Sequence, residues 1–75
     1  QTFNIYPNPA KNSFSINAQQ NSIVEIYNVL GESTSRFNVK NYETVIDCSN
    51  WEKGLYFIKT ISGREKNQIS KLIIE

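Results

Sequence analysis

The chain has 75 residues, 39% of them hydrophobic and 12% aromatic, which leaves room for one domain with a core a few side chains across and excludes a second. Eight basic against seven acidic side chains give a net charge of +1, and their being scattered singly argues against nucleic-acid binding by electrostatics. One cysteine, Cys48, and no histidine exclude an internal disulfide and a zinc site of the ordinary kind.

Helical periodicity is nearly absent. Short runs rich in Ile, Val, Phe, Tyr and Thr recur about every ten residues between Asn, Ser, Gly or Pro, the spacing of a β-sandwich or barrel. Residues 2–6 are predicted as the first strand, stopped at Pro7, with Pro9 restricting Asn8 to extended conformations. Lys11 and Asn12 supply a turn. Residues 13–17 alternate polar and apolar side chains, so Phe14 and Ile16 should face the core and Ser13 and Ser15 water. A polar stretch, 18–21, leads to a strand over 22–28, with Val24 and Ile26 on one face and Ile23, Glu25 and Tyr27 on the other. Asn28, Val29, Leu30 and Gly31 then read as a type I turn closed by a left-handed glycine.

Weaker strands are predicted over 33–39 and 42–47, joined through Lys40 and Asn41, and residues 48–54 form a loop in which Trp51 plugs one end of the sandwich. Residues 55–62 are apolar on both faces in their first half, as suits a central strand. Ser62 and Gly63 turn the chain, and residues 68–75 return antiparallel. The count is about seven strands in a single domain spanning 1–75.

No catalytic constellation emerges. General acid/base work wants paired carboxylates or a histidine in a pocket; the acids are isolated in sequence, and Glu25 with Glu43, a pair that neighbouring strands could bring together across a sheet, reads as a solvated face. Asp47, Ser49 and Asn50 begin to offer oxygen ligands for calcium, but such residues more commonly hold turn amides. Cys48 reads as a small buried hydrophobe. Tyr6, Tyr27, Tyr42 and Trp51 are candidates for a sugar-binding platform, with core packing the weightier account. The last strand, ending the sequence in a carboxylate, presents an edge that invites strand addition or carboxylate capture, with Lys71 as a gatekeeper against promiscuous pairing. No apolar run reaches the roughly 20 residues that span a bilayer, and no charged-then-apolar leader opens the sequence, so any export signal belongs to a longer precursor.

Four ordered blocks carry a family likeness: Tyr6, Pro7, Asn8 and Pro9; Val24 to Asn28 with Gly31; Ile46 to Trp51 leading into Gly54, Leu55, Tyr56, Phe57, Ile58 and Lys59; and Lys71, Leu72, Ile73, Ile74 and Glu75. Together the blocks resemble the type A C-terminal sorting domain of proteins exported by the type IX secretion system of Bacteroidota, over essentially the whole chain. Cys48 and Trp51 stand where that family more often has aliphatic residues, and Glu75 where a lysine is frequent. The resemblance implies an all-β, immunoglobulin-like antiparallel sandwich of about seven strands, without cofactor or enzymatic activity. It implies a label that directs a linked N-terminal cargo from the periplasm across the outer membrane to the cell surface or medium, usually to be removed there by a sortase-like peptidase. The recognition residues it implies are Pro7, Pro9, Gly54, Tyr56, Lys71, Leu72, Ile73, Ile74 and Glu75. The competing expectation is a carbohydrate-binding or adhesive β-sandwich appended to a secreted enzyme.

Overall fold

Side-chain alternation sets the strand faces in the computed structural model, which describes residues 3–63 and 67–75. Seven strands are present among these residues: β1 (Asn4–Tyr6), β2 (Ser13–Asn17), β3 (Ile23–Tyr27), β4 (Ser33–Asn38), β5 (Glu43–Asp47), β6 (Gly54–Ile61) and β7 (Gln68–Ile74). They form two antiparallel sheets, ordered β1-β2-β5 and β4-β3-β6-β7. The fold is an immunoglobulin-like sandwich whose fourth strand pairs with the third. The expected start of the first strand at Thr2 lies outside the described residues.

Phe14 and Ile16 on β2 and Val24 and Ile26 on β3 are buried, as their alternation requires. They meet Tyr56 and Ile58 of β6 and Leu72 and Ile74 of β7 in one core, which Ile5, Ile46 and Phe37 flank. β6 lies between β3 and β7, the central position its two-sided apolar character predicts. Ala18, Val39 and Cys48 are buried from connecting segments. Trp51 closes one end of the sandwich, its ring 5.6 Å from Phe14 in an edge-on contact and 5.1 Å from Tyr56.

Several strands are shorter than predicted because their end residues bond elsewhere. Ser22 turns its N–H and hydroxyl back to the Gln19 carbonyl. Val39 pairs with Asn21 and Ser22, and the Tyr42 carbonyl accepts the Ala18 N–H. The β3–β4 turn forms as predicted, with Gly31 at φ +84° and its N–H on the Asn28 carbonyl at 3.0 Å. Asn28 Oδ1 also accepts the N–H groups of Leu30 and Glu32, each at 3.0 Å. Glu25 and Glu43 do not pair: β3 takes β4 and β6 as neighbours while β5 takes β2, which puts the two acids in different sheets.

Candidate recognition surface

β1 ends at Tyr6, as a following proline without an N–H dictates. The Tyr6 hydroxyl donates to Glu43 Oε2 at 3.0 Å, which ties the start of the motif to β5. Residues 7–9 bend, carrying the chain from the edge of the β1-β2-β5 sheet to the edge of the other sheet. Both the Tyr6–Pro7 and Asn8–Pro9 bonds are cis.

At its destination this segment meets β7. The Asn8 side chain donates through Nδ2 to the Lys71 carbonyl at 2.8 Å and accepts the Ile73 N–H at Oδ1, 3.1 Å away. The Ala10 N–H donates to the Ile73 carbonyl at 2.8 Å, and the Ala10 carbonyl accepts the Glu75 N–H, also at 2.8 Å. Ala10 and Ile74 form a parallel bridge, and Ala10 is fully buried. Backbone groups of β7 alternate in direction, so these contacts identify residues 71, 73 and 75 as those whose N–H and C=O groups point away from β6. The edge that the sequence offered for strand addition is thus already closed from the Lys71 carbonyl to the Glu75 N–H.

The closure gathers some of the predicted residues and separates others. Pro7, Pro9, Lys71, Ile73 and Glu75 are exposed and lie on or beside one seam. Leu72 and Ile74, between them in sequence, are 0% and 3% exposed and belong to the core. Tyr56, opposite Leu72, is also buried, and its hydroxyl donates to the Glu52 carbonyl at 2.7 Å. Burial pushes the Tyr56 phenol above its ordinary value. Gly54, opposite Ile74, is exposed at φ +137°, and an added Cβ would meet nothing within 4 Å. It starts β6 in a backbone geometry that other residues resist.

On the outer face beside the seam, Ile73 lies opposite Leu55 and Lys71 opposite Phe57. The result is a partly apolar surface carrying the Lys71 ammonium, with two prolines at its border. Farther along the same face Glu25 is paired with Arg36 at 3.0 Å and accepts the Tyr27 hydroxyl at 2.7 Å. The Tyr27 and Ser33 hydroxyls, then Arg36, hold this carboxyl below its ordinary value.

The other candidates resolve locally. Asp47 Oδ1 accepts the Ser49 N–H at 2.9 Å and the Ser49 hydroxyl at 2.7 Å, the turn-closing role that competed with calcium ligation. Cys48 is buried, and burial pushes its thiol up. Tyr6, Tyr27, Tyr42 and Trp51 do not share a surface: Tyr6 and Tyr27 belong to opposite sheets, Tyr42 lies in the β4–β5 connection, and Trp51 is packed on the core. A depression of about 290 Å³ lies beside Trp51, lined by Asn28, Thr34, Ser35, Glu52 and Tyr56, without the other aromatic candidates.

Sequence reasoning missed Asn8 and Ala10 as partners of the last strand. A signal for Asn8 was available: neither Pro7 nor Pro9 carries an N–H, so side-chain donation from this short segment falls to the carboxamide between them. For Ala10 there was none. A family model described as "Secretion system C-terminal sorting domain" matches residues 4–75. No curated protein matches the chain.

Proposed function

The chain belongs to the secretion system C-terminal sorting domain family, the signal for type IX secretion, and from that premise we propose that export machinery reads the seam between the motif segment and β7. A domain of this family is a non-catalytic sorting signal; it implies a linked cargo domain, the type IX system as partner, and export toward the cell surface or outside.

In the proposed reading, residues 1–75 are one domain of a longer secreted precursor. The precursor passes through the periplasm, the translocon takes it across the outer membrane, and a sortase-like peptidase then removes the domain. Pro7, Pro9, Lys71, Ile73 and Glu75 make the contacts. Gly54, Tyr56, Leu72 and Ile74 act through the fold: the glycine sets the start of β6 and the other three fill the core.

The observation that supports this reading is the hydrogen bonding of Asn8 and Ala10 to residues 71, 73 and 75, which joins the family's opening motif to its last block, up to 65 positions away, in one exposed seam. A surface built from two segments distant in sequence forms only once the domain has folded, so reading it also checks folding. The test is to fuse the chain to a reporter delivered to the periplasm of a host with a type IX system. The reporter should reach the surface or the medium, and stay periplasmic when the translocon is deleted. Retention of the fusion in competent cells would contradict the reading.

A further inference from the structure

Thr34 and Ser35 are consecutive on β4, so a regular strand would turn their side chains to opposite faces. Both line the depression beside Trp51. The reason lies in the pairing of β3 with β4: Ser35 is opposite Ile26 and Ser33 opposite Tyr27, which leaves Thr34 as the extra residue of a bulge. Trp51 and Glu52 from the β5–β6 connection, Tyr56 from β6 and Asn28 complete the walls.

The side chains around this cavity of about 290 Å³ offer acceptors more than donors. The Thr34 hydroxyl donates to the Ile26 carbonyl at 3.2 Å and the Tyr56 hydroxyl to the Glu52 carbonyl at 2.7 Å, so each has only lone pairs left to offer. Asn28 donates through Nδ2 to Glu32 and accepts the Leu30 and Glu32 N–H groups at Oδ1. The uncommitted side-chain donors are the Ser35 hydroxyl and the indole N–H, both neutral, against the charged Glu52 carboxylate. Neither neighbouring cation fills the place: Arg36 pairs with Glu25 on the outer face at 3.0 Å, and Lys53 lines an adjacent depression.

We propose that this cavity binds a guanidinium group, carried by a free small molecule or by an arginine side chain of a protein. A guanidinium has five N–H donors and no acceptor, the complement of a carboxylate beside hydroxyl lone pairs. Its plane also stacks on an aromatic ring, which a rounded ammonium cannot do. The cavity shares no residue with the seam of Asn8, Ala10 and the outward residues of β7, so its role stands whatever reads the domain.

Trp51 is the one tryptophan of the chain, so its fluorescence reports on this cavity. Titration with N-acetylarginine amide should shift the emission saturably and move the amide resonances of Thr34 and Ser35. The citrulline analogue, a neutral isostere, should do neither at the same concentration, and the lysine analogue should bind severalfold more weakly. Free arginine binding more tightly than the capped compound would mark a small-molecule ligand; equal or weaker binding would mark a protein side chain. Glu52→Gln should weaken binding of the capped arginine severalfold with its urea midpoint unchanged, while Glu43→Gln, which removes an exposed charge from the other sheet, should not weaken it. Absence of a saturable shift, equal binding of the arginine compound and either analogue, or equal loss in the two variants would overturn the proposal.

Discussion

Substituting Leu72 by alanine separates what β7 does for the fold from what it presents to solvent. Leu72 is 0% exposed, packed in the core across from Tyr56. Truncating a fully buried leucine costs about 2–5 kcal/mol, the spread reflecting how far the cavity collapses. A domain of 75 residues has a total stability of about 4–11 kcal/mol at the usual value per residue. One substitution therefore removes a large fraction of what holds the chain folded. With a urea slope of about 1 kcal/mol per molar for so small a protein, the unfolding midpoint should fall by about 2 M or more. Lys71→Ala, one residue earlier on the exposed face, should move stability by less than about 0.5 kcal/mol. Urea titration followed by Trp51 fluorescence measures both. A Leu72→Ala midpoint within experimental error of Lys71→Ala would refute the assignment of alternate β7 residues to core and surface. Deleting residues 72–75 outright cannot isolate recognition, because it removes two core side chains, Leu72 and Ile74, together with the exposed ones.

Gly54→Ala should destabilise by about 1–3 kcal/mol, because φ of +137° is strained for any side chain even though the space is free; Gly63→Ala, where the space is also free and φ is not positive, should cost far less in the same titration. Stability should fall at both ends of the pH scale. Asp47, lowered by the Ser49 N–H and hydroxyl, and Glu25, lowered by Tyr27, Ser33 and Arg36, contribute stability that is whole above their ordinary values of 3.8 and 4.5 and is lost as pH falls through their lower folded values. Tyr56, raised chiefly by burial, contributes stability that is whole below 10.0 and lost as pH rises through its higher folded value. Tyr27, raised first by its hydrogen bond to Glu25, and Cys48, raised by burial, share the alkaline limb; thermal midpoints taken across pH should show both limbs, and Tyr56→Phe should make the alkaline one shallower without removing it, an unchanged alkaline limb rejecting the share assigned to this phenol.

Local patterns in the sequence carried the strand faces and the β3–β4 hairpin. Phe14 with Ile16 and Val24 with Ile26 alternate with polar neighbours, and period-two alternation leaves a half-buried strand little choice of face. The Asn28 to Gly31 turn was equally legible, since it needs a left-handed residue where Gly31 stands. Strand neighbours were not legible in the same way. Nothing local to Glu25 or Glu43 says which sheet each joins, because pairing between distant strands is fixed by the assembled core. The burial of Ala18 and Val39 in connections follows from backbone bonds between loops that alternation does not encode. The seam itself was half legible: its two blocks stood out separately, but their contact spans more than sixty positions and runs through one asparagine side chain. The direction of the bend at residues 7–9 was not legible for the same reason, since it is set by the edge the segment reaches.

The most direct measurement is surface delivery of the reporter fusion carrying Lys71→Ala, Ile73→Ala and Glu75→Ala together. These substitutions leave the backbone hydrogen bonds to Asn8 and Ala10 in place and spare Leu72 and Ile74. With the urea midpoint close to that of the unaltered chain, delivery should drop severalfold and the reporter should accumulate in the periplasm. Delivery at the unaltered level by this folded variant would contradict the claim that the machinery reads the outward residues of β7.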